Sequence, residues 1–207
     1  MGVTEYAKTE SDVIFVMAFL MSAETLTING ITHMKKKEYS KALKRFQQAH
    51  KKKPMDVNIL NYMSQAQTAL RLMDDALVTI DKAIDIDPSN VIFWQLKATN
   101  LIMLQRHEEA IPVIDKCMEL QPGDVNFIMR GQVDYALDDL HSADEWFDRA
   151  LEIDPENPIS NHMKGMILYK LGNFAEAIPH LEKAHAVGKT ETIQNLLDDC
   201  RSRTIKE

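Results

Sequence analysis

Cysteine occurs only twice in the 207 residues, at Cys117 and Cys200, too few and too scattered for a disulfide framework or a zinc cage. A reducing, intracellular compartment is therefore the expectation. Glycine is almost as scarce, with seven residues and none of them in a loop that could cradle phosphates. Basic residues are in deficit as well. The formal net charge of −7 argues against the basic footprint of a nucleic-acid binder. No long apolar run is present: the longest, residues 13–21, covers nine residues where a membrane span needs about 20. That run is also a poor signal peptide, because Glu5, Glu10 and Asp12 precede it where basic residues belong. Met1 and Gly2 would suit myristoylation, but Tyr6 stands where that motif needs Ser or Thr. The chain reads as cytosolic. What remains is ordinary for a globular protein, 45 % hydrophobic and 27 % charged, so wholesale disorder is excluded.

The seven prolines are not placed at random. Pro54, Pro88 and Pro122 are spaced by 34 and 34 residues, and Pro155 follows after 33. Twelve residues before each stands Ala42, Ala76, Ala110 or Ala143, and eight before each Phe46, Ile80, Ile114 or Phe147. Five before each comes Ala49, Ala83, Cys117 or Ala150. Small, large, small at spacings of four and three is one face of a helix. A second set of small residues, Gly30, Ser64, Ala98, Gly131 and Gly165, lies twelve positions before the repeat alanine and allows close crossing of a paired helix. Four places earlier come Leu26, Leu60, Trp94 and Phe127, expected in the core, with Asn161 departing from the pattern. Each repeat proline ends its helix by pushing the preceding residue out of the helical region.

This arrangement resembles the tetratricopeptide repeat family over residues 23–190. Ala150-Leu151-Glu152-Ile153-Asp154-Pro155 and Lys170-Leu171-Gly172-Asn173-Phe174-Ala175-Glu176-Ala177 look like its consensus. The resemblance implies an all-α fold, a right-handed superhelical solenoid of about five helix-turn-helix units. The units are expected at 23–56, 57–90, 91–123, 124–157 and 158–191. An N-terminal incomplete unit, residues 1–22, would precede them, and a capping helix and tail, residues 192–207, would close the open end.

The segment 11–22 is apolar on every side, so one face packed on the first repeat leaves another unburied. Two readings stay open: a capping helix on its own chain, or an incomplete unit that docks on another protein. Charge is also unevenly placed. Between Lys35 and Lys53 nine basic residues face one acid, Glu38, and the densest clusters are Lys35, Lys36, Lys37 and Lys51, Lys52, Lys53. Between Glu108 and Glu156 fourteen acids face Lys116, Arg130 and Arg149. Solvated convex faces account for this, or a dipolar rod whose basic end attracts an anionic membrane or the acidic part of a sister molecule.

In the family the first helix of each unit lines a concave groove. Carried over by resemblance, the peptide-binding groove comprises Asn58, Asn61, Gln65 and Thr68, then Gln95 and Thr99, then Gln132 and Tyr135, then His162 with Met166 and Tyr169 beside it. Its centre is neutral: amides, Thr and Met. Thr27 and Ile31 stand where a clamp for the carboxylate tail of heat-shock chaperones needs Lys and Asn, so that function is rejected. Amides bond an extended backbone while Met adapts to an apolar helix, so the expected ligand is a neutral amphipathic segment. Residues 13–21 are one candidate.

No catalytic constellation is found, and no enzyme, metal or cofactor is expected. The seven histidines are scattered, and pairs such as His141 with Glu145 supply two ligands where a metal site needs more. Cys117 occupies a small-residue slot of the repeat and should be buried and inert.

Three phrases narrow the resemblance to magnetosome-associated members of the family: Gly30-Ile31-Thr32-His33 with Glu38-Tyr39-Ser40-Lys41-Ala42, Ala110-Ile111-Pro112-Val113-Ile114-Asp115-Lys116, and Glu176-Ala177-Ile178-Pro179-His180-Leu181-Glu182-Lys183-Ala184. Pro112 and Pro179, early in second helices, are unusual for the repeat in general. The resemblance implies a non-enzymatic scaffold that forms homo-oligomers, coats the cytosolic face of the magnetosome membrane and recruits other proteins. It implies a self-assembly donor at Val13, Phe15, Val16, Phe19 and Leu20, docking in a neighbour's groove. Membrane association would be peripheral, indirect or electrostatic. The alternatives are a generic adaptor in pilus or cell-envelope assembly, or a secretion chaperone holding a peptide in its groove.

Overall fold

The computed structural model describes residues 21–205, so the donor residues Val13, Phe15, Val16, Phe19 and Leu20 lie outside the described residues. Among the described residues there are helices and no strands. In chain order they are α1 Ala23–Lys35, α2 Tyr39–Lys52, α3 Val57–Ala69, α4 Met73–Ile86, α5 Val91–Met103, α6 His107–Leu120, α7 Asp124–Ala136, α8 Leu140–Ile153, α9 Pro158–Lys170, α10 Phe174–Val187 and α11 Glu191–Thr204. The fold is an all-α tetratricopeptide-type array of helical hairpins. The chain divides into two compact units, Met1–Leu96 and Lys97–Glu207, and the division falls within α5. In the first, α1 packs on α2, α2 on α3 and α3 on α4. In the second, each helix from α6 to α11 packs on the next, and α7 also approaches α9. No helix among the described residues is long and apolar enough to cross a membrane.

Short polar side chains start several of the helices. Asp56 accepts hydrogen bonds from the amides of Asn58 and Ile59, Asn157 from Ile159 and Ser160, and Thr190 from Ile193. Each satisfies donors that the first helical turn leaves without a partner. Pro158 follows Asn157 at the first helical position, where its missing N–H costs nothing.

Within each hairpin the chain reverses through one residue of left-handed backbone: Lys37, Arg71, Gln105, Asp138 and Gly172, with φ between 58° and 84°. The amide after each closes back on the preceding helix, as Glu38 N–H donates to His33 O and Asn173 N–H to Leu168 O, both at 2.9 Å. This is the Schellman arrangement, which usually employs glycine. Only the last of the five does so here.

The small-large-small faces of the second helices form the core of each hairpin. Ala42, Phe46, Ala49, Ala143, Phe147, Ala150, Ala177, Leu181 and Ala184 are none of them more than 2 % exposed. Opposite them the first helices present residues without bulk. A methyl on Gly131 would meet Phe147 Cε2 at 2.8 Å, and one on Gly165 would meet Leu181 Cδ2 at 2.6 Å. The ring of Phe46 crowds Gly30 in the same way. Leu26 and Leu60 are fully buried, as the spacing predicts. Trp94 and Phe127 are only half-buried, because the Trp94 indole N–H reaches out to Pro88 O at 2.9 Å and Phe127 stacks on Trp146. Asn161, the departure from the pattern, is fully buried and donates to Pro155 O and Asn157 O.

Helix α11 covers α10 with Ile193, Leu197 and Cys200 and turns a charged face outward. Both thiols are free and buried. Burial pushes the Cys117 thiol up to about 11, so it stays protonated near neutral pH.

Candidate interaction surface

On α3, Asn58, Asn61, Gln65 and Thr68 recur at spacings of three, four and three and therefore share one face. Asn58 is exposed; the other three are half-buried. Gln65 Nε2 donates to Asn61 Oδ1 at 2.8 Å, which fixes both amides while each keeps a second polar atom. Thr68 Oγ1 donates to Ser64 O at 3.0 Å. Gln95, half-buried on α5, belongs to the same compact unit, whereas the exposed Thr99 belongs to the second.

In the second unit Gln132 and Tyr135 lie on α7 and His162 on α9, all half-buried. The Lys170 ammonium of α9 sits 4.3 Å from the Tyr135 ring centre, a cation–π contact that ties the two helices together. His162 Nε2 is buried without a hydrogen-bond partner among the described residues, and burial holds the imidazole below its ordinary value. Tyr169, which the repeat pattern also assigns to the groove, is half-buried like them and is tied to α11. Its hydroxyl donates to Asp199 Oδ2 of α11 at 2.5 Å, and the Arg203 guanidinium lies over its ring.

The six lysines of the basic clusters do not form one patch. Lys35 ends α1 with Lys36 and Lys37 just after it, while Lys51 and Lys52 end α2 with Lys53 just after, and α2 runs back alongside α1. A helix of 14 residues places the two groups ~20 Å apart. Lys53 is paired with Glu24 at the start of α1, which holds the Glu24 carboxyl down at about 2.

What the residue pattern did not bring out is a pair of ionic seams in the second unit. Arg130 of α7 reaches Asp115 of α6 at 2.7 Å and Asp134 of its own helix at 3.1 Å. Lys164 of α9, only 7 % exposed, holds Asp144 and Asp148 of α8 at 2.8 and 2.7 Å. In both, a cation on a first helix bonds a carboxylate on the preceding second helix. The one signal was the recurrence of a basic residue just before Gly131 and Gly165.

Tetratricopeptide repeat family models match residues 29–91, 92–124 with 127–157, and 146–178. The chain belongs to the tetratricopeptide repeat family. No curated protein matches it as a relative. Solved structures do. MamA from Desulfovibrio magneticus RS-1, residues 41 to the end, superposes with a TM-score of 0.74 at 17 % identity, covering 82 % of this chain and 96 % of that one. PilW, a type IV pilus biogenesis factor, gives 0.74 at 16 % identity, covering 88 % and 89 %. YrrB, described as having an unusual peptide-binding site, gives 0.66 at 17 % identity, covering 83 % and 89 %. At these identities the likeness is one of fold. Repeats of this family make a protein-interaction scaffold, and that much holds for this chain.

Proposed function

We propose that this non-enzymatic scaffold assembles with itself, coats the cytosolic face of the magnetosome membrane and recruits other proteins there. The observation that carries self-assembly is the neutral amide face of α3, half-exposed and pre-fixed by the Gln65–Asn61 bond, in a chain that also carries an apolar segment at residues 13–21. Ordered amides receive a backbone at little entropic cost. In this reading Gln65, Gln95, Thr99, Gln132, Tyr135 and His162 accept, and Val13, Phe15, Val16, Phe19 and Leu20 of a second copy donate. The magnetosome assignment is supported by the local phrases around Gly30, Pro112 and Pro179 and by the likeness to MamA.

The test is the double variant Phe15→Ser, Phe19→Ser. It should be a folded monomer by circular dichroism and light scattering, and oligomers of unchanged size would refute the donor assignment. An adaptor in pilus assembly is the second reading, favoured by the likeness to PilW over 88 % of this chain. It predicts a monomer with the native sequence.

A further inference from the structure

In the first unit the seam between hairpins is built differently. Where α8 carries Glu145, Asp148 and Glu152, the same helical register of α2 carries Lys44, Gln47 and Lys51. Where Arg130 and Lys164 bridge to the preceding helix, α3 carries Met63. A cleft of about 560 Å³ opens here between α2 and α4. Lys44 and Lys51 line one wall, Lys82 of α4 the other, and Met63 and Gln67 of α3 the floor. No carboxylate is among the lining residues.

Two polar groups there lack partners among the described residues. Gln67 is 7 % exposed and its Oε1 meets no donor; His50 Nδ1 is buried and equally alone. A buried polar atom without a bond has lost its hydration with nothing in return, so a ligand that reaches both is favoured. A side-chain amide can present its nitrogen to that ligand by turning over.

We infer that this cleft is a binding site for a phosphate group. Three ammonium groups without acids call for an anion of more than one charge. They are compact point charges rather than the planar fork of arginine, which suits a tetrahedral oxyanion better than a single carboxylate. The cleft has the volume of a small-molecule site and so admits a phosphate with a substituent. The state of His50 agrees with the electrostatics: burial, then the Lys82 ammonium, holds its imidazole below the ordinary value. A bound dianion would offset that repulsion.

The experiment is calorimetric titration of the full chain with inorganic phosphate at constant ionic strength. Saturable binding with Kd on the order of 1 mM is expected. Lys44→Glu and Lys82→Glu, both at exposed positions, should weaken it about tenfold, while Lys36→Glu, outside the cleft, changes it less than about twofold. Absence of saturation, or equal weakening by Lys36→Glu, overturns the site. A parallel arm sediments the chain with phosphatidic acid vesicles. Pelleting lost in Lys82→Glu identifies the phosphate as a lipid headgroup, and phosphate binding without pelleting identifies it as soluble.

Discussion

Gly131 has a phenyl ring where its side chain would stand, and the same contact recurs at Gly30. Gly131→Ala therefore forces Phe147 off its seat and should lower stability by about 1–3 kcal/mol in urea unfolding; an unchanged midpoint would contradict the packing. Lys164 is a different kind of core residue. Lys164→Met removes the cation and leaves Asp144 and Asp148 facing each other, the first largely enclosed. Because Asp148 is half-exposed and partly screened, the expected loss is about 1–3 kcal/mol, below that of a fully buried pair. Adding Asp144→Asn and Asp148→Asn should recover most of it. The histidines set a pH dependence. Burial first, and then the Lys164 ammonium, holds His180 below its ordinary 6.5, and burial alone does so for His162. Protons then favour the unfolded chain, so this stability is complete above 6.5 and is lost as pH falls through the folded values. The melting temperature should begin to drop below pH 6.5, and less so in His180→Gln, which can still donate to Asn161 Oδ1. A profile flat between pH 7 and the carboxylate range would refute this.

At the scale of the element, the turns hold the clearest unused stability. Lys37, Arg71, Gln105 and Asp138 adopt left-handed backbone, which costs a residue with a Cβ about 1–2 kcal/mol. Arg71→Gly should raise the thermal stability by up to about 1 kcal/mol after the entropy of the unfolded chain is charged against it. Gly172→Ala should lower it by about as much, and the opposite pair of signs would contradict the turn assignment. The helical fold was legible because a 34-residue proline period and a small-large-small stripe are both local patterns. The left-handed turns were not, since four of the five lack the glycine that would announce them. The seams were equally hidden: Lys164 and Asp148 are 16 residues apart and meet only once α9 lies on α8. The two lysine clusters look like one patch along the chain and stand at opposite ends of a hairpin. For the amide face, helical spacing places Asn61 beside Gln65; it is silent on what docks there.

Self-assembly of a repeat scaffold engages the chain from end to end. The chain combines an acid-rich stretch, Glu108 to Glu156, with a basic one, Lys35 to Lys53, so association should be salt-sensitive as well as apolar. The most direct test is light-scattering mass across a size-exclusion peak, at low and high salt, for the full chain beside one beginning at Ala23. Large assemblies that shrink with salt and collapse to monomer on truncation are expected. A monomer in both forms at both salts would contradict self-assembly.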